Sequence, residues 1–270
     1  MRFHFSKYHG TGNDFIIIDN RTFFFEKANH ELIAHLCHRR FGIGADGVLL
    51  LEPDDETGFR MIYFNADGRP GTMCGNGARC LVAFAHRLLN TGNKVVFSAS
   101  DGRHEAEIIS IDENLRNYTV KLRMNDVSVI ESFDGGFVLN TGSPHFVTAE
   151  HDPYKTDVVS EGRRIRNSER FRQEGINVNF IKVEDGKVHL RTYERGVEDE
   201  TWSCGTGSVA AALTALHAGL TDKSPVQIIA KGGSLKVFAE SKDKIFKNIY
   251  LEGIAQLVYE GSFCISDIRF

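Results

Sequence analysis

Two short stretches, CGNGA at Cys74–Ala78 and CGTGS at Cys204–Ser208, share the pattern Cys-Gly-x-Gly followed by a small residue. Each stretch precedes an apolar sequence with helical spacing. A thiol at the start of a helix lies near N–H groups that lack intrahelical acceptors and near the positive end of the helix dipole. Both features stabilise a thiolate or a bound carboxylate. The two stretches therefore predict two reactive thiols, each at the entrance of a helix.

The spacing of 130 residues between the two cysteines recurs at other landmarks of the chain. It also joins Gly12 with Gly142, Gly47 with Asn177, Asn65 with Arg195 and Gly77 with Gly207. Each cysteine-led helical sequence is followed by a predicted strand, a glycine turn and another strand. One spacing shared by several separated landmarks predicts a diverged internal duplication, with one cysteine in each half.

The duplication and the length of 270 residues together predict two domains rather than one. We expect an α+β fold of two similar lobes, each a set of mostly antiparallel strands wrapped around a central buried helix. The N-terminal lobe is predicted at residues 1–122 and the C-terminal lobe at residues 123–257. Residues 258–270 exceed what the duplication requires, and they are candidates for a strand that returns to the first lobe.

Hydrophobic periodicity predicts three helices, at Asn29–Phe41, Asn76–Leu89 and Thr206–Ala218. The last two are apolar on nearly every face, which is typical of helices that are buried all round. The charged segment Glu150–Glu174 is predicted to be a solvated helix and loop. The predicted strands are Phe15–Asp19, Val48–Glu52, Phe59–Asn65, Lys94–Ser100, Phe137–Asn140, Val178–Val183, Val188–Tyr193, Val226–Lys231 and Ile249–Leu251.

Composition excludes several classes of protein. A formal net charge of −4 gives no general attraction to nucleic acid or to anionic membranes. Five cysteines form an odd set without framework spacing, which indicates free thiols in a reducing compartment. The first residues lack an apolar signal region, and no apolar run approaches the ~18 residues of a membrane-spanning helix. We therefore expect a cytoplasmic protein.

Three of the five cysteines have simpler predicted roles. Cys37, Cys80 and Cys264 are predicted to act as small buried hydrophobes. The closely spaced ligands of a zinc site are lacking, and neither glycine motif has the lysine of a phosphate-binding loop, so no metal and no cofactor are expected. Cysteine nucleophile chemistry with His86 or His145 would leave the second cysteine motif unexplained.

Proton exchange at a carbon acid uses both motifs. Inverting a stereocentre without a cofactor needs a base on one face of the carbon and an acid on the other. Thiols suit both roles because their pKa of about 8.5 is lowered toward neutrality at a helix N-terminus. The adjacent backbone amides could hold a carboxylate that gains charge as the proton leaves.

Five motifs resemble those of the diaminopimelate epimerase family. They are YHGTGNDF (Tyr8–Phe15), FNADG (Phe64–Gly68), CGNGARC (Cys74–Cys80), YERG (Tyr193–Gly196) and CGTG (Cys204–Gly207). The resemblance extends from Phe5 to about Gly261. It implies an epimerase independent of pyridoxal phosphate that interconverts LL- and meso-diaminopimelate, in lysine and peptidoglycan precursor synthesis. It also implies two similar lobes with the active site in the cleft between them.

The resemblance assigns roles to particular residues. Cys74 and Cys204 would be the acid/base pair, and Glu194 would bind the reacting ammonium. The reacting carboxylate would be held by Gly75, Asn76, Gly205 and Thr206, and the distal amino-acid end by Asn13, Asn65, Asn177 and Arg195. Two positions depart from the family, which usually carries asparagine at Ser143 and often glutamine at Gly47. A contact of His145 with substrate is left open.

Two other functions remain as alternatives. A proline racemase or hydroxyproline epimerase would share the thiol pair, but it would have no use for the residues around a distal arm. A non-enzymatic redox switch would instead join Cys74 and Cys204 in a reversible disulfide. The sequence also leaves open whether the protein forms a homodimer. It does not show which cysteine is the base for which stereoisomer.

Overall fold

Short β-branched and aromatic stretches fold into sixteen strands, and four segments fold into helices, over the residues that the computed structural model describes: 2–112, 116–242 and 245–264. The chain forms two units, Met1–Leu122 with Ile254–Phe270, and Arg123–Gly253. The return to the first unit therefore begins at Ile254, four residues before the sequence-based boundary. Residues 265–270 of the expected returning segment lie outside the described residues.

The first unit consists of a sheet and two helices. Its elements are β1 (Arg2–Gly10), β2 (Asn13–Asp19), α1 (His30–Cys37), β3 (Gly47–Asp54), β4 (Gly58–Asn65), α2 (Gly75–Leu89), β5 (Lys94–Ala99), β6 (Gly102–Ile111) and β7 (Asn117–Arg123). Strands β1 to β7 lie side by side in chain order. The β2–β3 and β4–β5 pairs are parallel, and the other described pairs are antiparallel.

The second unit repeats this plan. Its elements are β8 (Ile130–Phe133), β9 (Gly136–Asn140), β10 (Pro144–Thr148), α3 (Val158–Arg166), β11 (Asn177–Glu184), β12 (Lys187–Glu194), β13 (Asp199–Thr201), α4 (Gly205–His217), β14 (Val226–Ala230), β15 (Gly233–Lys242) and the first part of β16 (Ile245–Cys264), whose residues from Ile254 onward belong to the first unit. The first part of β16 pairs with β15, and its last part pairs with β1 of the first unit. The β10–β11 and β12–β14 pairs are parallel.

The structural repeat keeps the spacing of the sequence repeat. In the β2–β3 pair Phe15 lies opposite Gly47, and in the β10–β11 pair His145 lies opposite Asn177. Each residue of the second pair lies 130 positions after its counterpart in the first pair, so the β2–β3 and β10–β11 pairs have the same register. An unchanged register across two copies is the expected result of duplication.

Helices α2 and α4 occupy the cores of their units. α2 contacts β1, β2, β3, β4 and β6, and α4 contacts β9, β10, β11, β12, β14 and β15. Every residue of α2 from Gly75 to Ala85 is buried, as are most residues of α4. The prediction of two helices buried all round is confirmed by this packing.

Two segments differ from the sequence-based expectations. α1 begins at its predicted cap, Asn29, but ends at Cys37 rather than Phe41. The chain folds back there, because the N–H groups of Ile43 and Gly44 both donate to the carbonyl of Leu36.

The segment predicted to be solvated contains α3, which has one buried face. Val158 and Ile165 pack with Phe146, Phe171 and Tyr193 in an apolar cluster. The sequence did not show this face clearly, because three arginines, Arg163, Arg164 and Arg166, occupy half of the other positions of α3. The segment contains a helix with exposed arginines, as predicted, but the prediction did not include its buried face.

Candidate active site

In the first unit, the thiol of Cys74 lies at the N-terminus of α2. Cys74 is the N-cap residue, with an extended backbone (φ −114°, ψ 119°), and its side chain makes no capping hydrogen bond. Gly75 and Asn76 follow as the first two helical residues. The first N–H groups of a helix have no intrahelical acceptor, so this turn is suited to hold an anion.

A pair of asparagines joins the Cys74 thiol to the start of β2. The Asn13 side-chain oxygen accepts hydrogen bonds from Cys74 Sγ at 3.7 Å and from Asn76 Nδ2 at 3.2 Å. Asn13 Nδ2 in turn donates to Asp46 Oδ2 at 2.8 Å. The structure thus brings together three of the residues that the resemblance places in the site.

A charged cluster supports the far side of Asn13. Asp14 pairs with Lys7 at 2.5 Å and with Arg39 at 2.7 Å, and Arg39 also pairs with Asp46 at 2.7 Å. Burial alone would raise the pKa of Asp14, but hydrogen bonds and charge from Arg39 and Lys7 lower it to about 2. Both carboxylates lie next to cations that balance them.

The distal-arm candidate of this unit, Asn65, is exposed at the end of β4, opposite Gly47. A Cβ at Gly47 would lie 2.5 Å from the Phe64 carbonyl oxygen and 2.6 Å from the Tyr63 ring. The Tyr63 ring therefore occupies the space where a family glutamine would begin. This packing explains the glycine at position 47.

Sequence reasoning missed Arg79, which is fully buried in α2. Its Nη2 donates to Asn76 Oδ1 at 2.9 Å and to Thr11 Oγ1 at 3.5 Å, and its Nη1 donates to the Gly75 carbonyl at 3.3 Å. An arginine inside an otherwise apolar, all-buried helical pattern was the available signal.

In the second unit, Cys204 occupies the same place at the start of α4. It is the N-cap residue, with φ −115° and ψ 116°, and its side chain makes no capping hydrogen bond. Gly205 and Thr206 are the first two helical residues. The Thr206 hydroxyl lies 3.5 Å from Cys204 Sγ and 2.9 Å from His145 Nε2.

His145 is the centre of a buried polar network. Its Nδ1 lies 3.1 Å from Asn179 Nδ2, and Asn179 Oδ1 accepts a hydrogen bond from Thr192 at 3.0 Å. Burial, assisted by the charge of Arg195, lowers the pKa of His145 to about 3, so the imidazole is neutral near neutral pH. Through Nε2, His145 contacts Thr206, one of the predicted carboxylate binders.

Asn179 was also missed, although Asn177 and Asn179 alternate with apolar residues in β11 and therefore lie on the same face of the strand. This alternation was the available signal.

The distal-arm candidates of the second unit are joined by hydrogen bonds. Asn177 Nδ2 donates to Ser143 Oγ at 2.9 Å, and Asn177 Oδ1 accepts from the Arg195 backbone N–H at 2.8 Å. The Arg195 side chain is exposed, with Nη1 donating to the Glu174 carbonyl at 3.0 Å and Nη2 to Ser143 Oγ at 3.4 Å. The Ser143 hydroxyl therefore takes part in this network despite its difference from the family.

The last candidate, Glu194, ends β12 next to Arg195. Its Oε2 accepts a hydrogen bond from Thr201 Oγ1 at 2.8 Å. Thr201 lies in β13, so the short β13 strand fixes the orientation of this carboxylate.

Two of the other cysteines, Cys37 and Cys80, lack the features of a reactive thiol. Cys37 and Cys80 are buried, and burial raises the pKa of Cys37 to about 12 and the pKa of Cys80 further. Cys264 is half-buried. Within residues 2–112, 116–242 and 245–264, the side chains form no cluster that could hold a metal ion. None of the helices described there is long and apolar enough to cross a membrane.

Comparisons with known proteins point to one family. The family model described as Diaminopimelate epimerase matches residues 5–130 and 137–258. The chain is 48% identical over 255 residues to the diaminopimelate epimerase of Flavobacterium psychrophilum, covering 94% of this chain and 97% of that relative. It is 42% identical over 262 residues to the diaminopimelate epimerase of Chlorobaculum tepidum, covering 95% and 99%.

Solved structures with low sequence identity share the fold. A PhzF-family phenazine biosynthesis protein of Bacillus anthracis matches with a TM-score of 0.70 and 14% identity, covering 98% of this chain and all of that one. A hydroxyproline epimerase of Agrobacterium vitis matches with a TM-score of 0.66 and 15% identity, covering 98% and 93%. These matches support the two-repeat α+β fold.

Proposed function

Since the chain belongs to the diaminopimelate epimerase family, we propose that it interconverts LL- and meso-diaminopimelate by proton exchange at the α-carbon, with Cys74 and Cys204 as the two exchanging groups. The observation that carries the assignment of the cysteines is their matched position. Each is the N-cap of a buried helix, with a nearly identical backbone conformation and a polar partner for its sulfur.

The proposed reaction balances without a further reactant. One cysteine thiolate removes the α-hydrogen as a proton, and the electron pair of the C–H bond passes to the α-carbon and the attached carboxylate. The other cysteine delivers a proton to the opposite face and forms the new C–H bond. The first cysteine ends as a thiol and the second as a thiolate, so the reverse reaction exchanges their roles.

The helix N-termini supply the stabilisation that the intermediate needs. We propose that the N–H groups of Gly75, Asn76, Gly205 and Thr206 hold the reacting carboxylate. Their donors are fixed before the reaction starts and favour the additional negative charge as it develops. Glu194, oriented by Thr201, would hold the reacting ammonium.

Recognition of the distal amino-acid end would use Asn13, Asn65, Asn177 and Arg195. Support comes from the hydrogen bonds that fix Asn13 against Asp46 and Asn177 against the Arg195 backbone. The exposed Arg195 guanidinium offers a planar pair of donors suited to a carboxylate. We propose that the Ser143 hydroxyl, held by Asn177, orients Arg195 rather than replacing the family asparagine.

The cellular setting is proposed on the same basis. We expect a cytoplasmic enzyme of lysine and peptidoglycan precursor synthesis with a small-molecule substrate. The net charge of −4 gives no reason to expect a nucleic-acid partner. A homodimer is a hypothesis that light scattering coupled to size-exclusion chromatography would test.

The decisive experiment is incubation of the purified chain with LL-diaminopimelate in deuterated water under reducing conditions. We expect formation of the meso isomer, measured by chiral chromatography, together with incorporation of deuterium at the α-carbon, measured by NMR. Proline and hydroxyproline are the matched control substrates and should show no exchange. Turnover of either in place of diaminopimelate would move the chain to the rival activity. A lack of exchange into all three would favour the redox switch.

A further inference from the structure

The turn Glu194–Glu198, which joins β12 to β13, contains two of the proposed substrate-binding residues, Glu194 and Arg195. The Glu198 N–H donates to the Glu194 carbonyl at 2.8 Å and closes the turn. Gly196 and Glu198 both have a positive φ, of 91° and 58°. A left-handed conformation is uncommon for a glutamate and costs free energy, so other contacts must stabilise it.

The Glu198 side chain supplies such contacts. Its Oε1 accepts a hydrogen bond from the Gly196 N–H at 3.1 Å, and its Oε2 accepts one from the Tyr193 hydroxyl at 3.1 Å. Desolvation alone would raise the pKa of Glu198, but these hydrogen bonds and the nearby Arg166 lower it. Glu198 is therefore a carboxylate near neutral pH, and it binds the turn at Tyr193 and at Gly196.

Arg166, the last residue of α3, is the cation paired with Glu198. Its Nε lies 3.5 Å from Glu198 Oε1, which is within ion-pair distance but longer than a typical hydrogen bond. The Arg166 side chain is 17% exposed and that of Glu198 is 46% exposed, so solvent screens the pair only in part. Helix α3 is itself held in place, because Val158 and Ile165 pack in the apolar cluster with Tyr193. Arg166 therefore joins a packed helix to the turn.

Gly175 brings Arg166 and Arg195 next to each other. It is buried, and a Cβ at this position would lie 2.7 Å from Arg166 Cζ and 2.8 Å from Arg195 Cδ. Both side chains therefore pack against the same glycine, a close approach that needs a residue without a side chain. The Gly175 N–H donates to the Phe171 carbonyl at 2.7 Å, and the neighbouring Glu174 carbonyl accepts from Arg195 Nη1 at 3.0 Å. Arg166 and this backbone segment limit the positions that the Arg195 side chain can occupy.

The two adjacent arginines differ in how their charges are balanced. Glu198 balances Arg166, whereas the described acceptors of the Arg195 guanidinium are the Glu174 carbonyl and the Ser143 hydroxyl, which are both neutral. Without the Glu198 carboxylate, the two guanidinium groups would repel each other. The pair therefore allows Arg195 to remain beside Arg166 with its positive charge available to an anionic ligand.

We infer that Arg166 and Glu198 form a positioning pair that holds Glu194 and Arg195 in the conformation that binds substrate. This inference deepens the proposed function and rests on it for the roles of Glu194 and Arg195. Weakening the pair lets the turn adopt other conformations, and only the fraction in the binding conformation takes up substrate. Bound substrate restores that conformation, so loss of the pair raises KM and changes kcat little.

The first test is the steady-state kinetics of diaminopimelate epimerisation by Arg166→Gln and Glu198→Gln. Each variant should raise KM by about 3–10-fold and change kcat by less than about twofold. A purely structural role would have the opposite signature, because a smaller folded fraction lowers the apparent kcat and leaves KM unchanged. Arg164→Gln is the matched control, since Arg164 lies on the same helix and pairs with Glu161; it should change neither constant. An unchanged KM in both test variants would overturn the inference.

The pairing itself is tested by a double variant and by a conservative one. The double variant Arg166→Gln/Glu198→Gln should have a KM no higher than the larger of the two single-variant values, because both substitutions remove the same interaction. Arg166→Lys keeps a cation opposite Glu198 and should restore most of the wild-type KM. The pairing is refuted if the double variant shows the product of the single increases, or if Arg166→Lys is as impaired as Arg166→Gln.

Hydrogen exchange of backbone amides gives a second readout, which needs no substrate. The N–H groups of Arg195, Gly196 and Glu198 are all hydrogen-bond donors in or beside the turn. Measured by mass spectrometry, a peptide covering these residues should exchange about 3–10-fold faster in the two test variants than in wild type or the control variant. Peptides from α4 should exchange as in wild type. Equal exchange of the turn peptide in all four proteins would contradict the inference.

The two readouts separate this inference from the proposed function. A chain that does not epimerise diaminopimelate but shows faster exchange in the turn of both variants refutes the proposed function alone. Normal epimerisation with unchanged KM and unchanged hydrogen exchange refutes the positioning pair alone. If Arg166→Gln does not fold, Glu198→Gln decides, because it removes the charge and keeps the shape of the side chain.

Discussion

The N-terminal turns of α2 and α4 have the same backbone but different surroundings. Cys74 and Cys204 differ by no more than 3° in φ and ψ, and both are followed by a glycine. Around them, three pairs of positions related by 130 residues differ in charge or polarity: Phe15 and His145, Leu49 and Asn179, and Arg79 and Val209.

The comparison distinguishes the features that both copies retain from the side chains that have diverged between them. Both copies keep a thiol and a glycine at a helix N-terminus, because the proposed reaction needs this geometry twice. The first unit adds a buried cation, whereas the second adds neutral hydrogen bonds through His145 and Asn179. Two similar backbones thus provide unlike environments for two groups that would hold opposite protonation states in the proposed reaction.

The largest effect is expected from removing either thiol. Cys74→Ser and Cys204→Ser should each lower kcat for epimerisation by about 10²–10⁴-fold, because a serine hydroxyl is too weakly acidic to exchange a proton near neutral pH. Conversion of LL- to meso-diaminopimelate measures this loss. Cys264→Ser is the control and should retain activity, since Cys264 lies outside both helix turns. Wild-type turnover by either single variant would show that the two turns are not equivalent partners.

A smaller effect is expected from Arg195, which occupies the position of Asn65 in the repeat. Arg195→Lys should lower kcat/KM by about 10–100-fold, because lysine cannot present two fixed donors to a carboxylate while contacting Ser143. The measurement is the steady-state kinetics of Arg195→Lys, with Arg170→Lys as the control variant. Arg170 forms an exposed pair with Glu131, so its variant should behave as wild type. Unchanged kinetics in Arg195→Lys would remove this residue from the site.

The sequence predicted the family, the activity and the two-repeat α+β fold, and all three are confirmed. These conclusions depend on spacing and on short motifs, which the sequence displays directly. The backbone around both cysteines was predictable for the same reason. Glycines and a cap residue leave few alternatives for a strand-to-helix turn.

The side-chain networks were less accessible to sequence reasoning. Arg79 stands out in the sequence as a cation within an apolar helical stretch, but nothing local shows that β1 and β2 cover it. Asn179 is surrounded in sequence by apolar strand residues, and its partners His145 and Thr192 come from two other strands. Such contacts between distant segments determine charge and hydrogen bonding at the site. Periodicity shows which face of a strand a residue lies on, but it does not show which partners the residue meets there.

The glycines Gly77 and Gly207 allow a direct comparison of the two turns. An added Cβ at Gly77 would meet Leu49 and Met61 at 3.4 Å, an ordinary contact. At Gly207 it would lie 2.7 Å from Asn179 Oδ1 and 3.3 Å from Cys204 Sγ. Gly77→Ala should therefore change the free energy of unfolding little or raise it by up to about 1 kcal/mol. Gly207→Ala should lower it by about 1–3 kcal/mol.

Denaturant unfolding of the two alanine variants measures both values, and epimerisation assays should show the larger loss for Gly207→Ala. Equal destabilisation by the two substitutions would mean that the space around the two turns is alike. The polar network of the second unit would then have no effect on packing.

The smallest expected effect comes from His145, whose counterpart Phe15 cannot titrate. The folded-state pKa of about 3 lies below the ordinary value of 6.5, so between these values the unfolded chain binds a proton that the folded chain does not. This contribution to stability is complete above about pH 6.5 and is lost as the pH falls toward 3, by about 1.4 kcal/mol per pH unit. Unfolding by urea at about pH 7 and about pH 5.5 should therefore show a smaller decrease in His145→Gln than in wild type. The exposed His4 supplies the control, since His4→Gln should keep the wild-type decrease. A decrease that is the same in all three proteins would mean that His145 is protonated in the fold, and the contrast between a charged first turn and a neutral second turn would no longer hold.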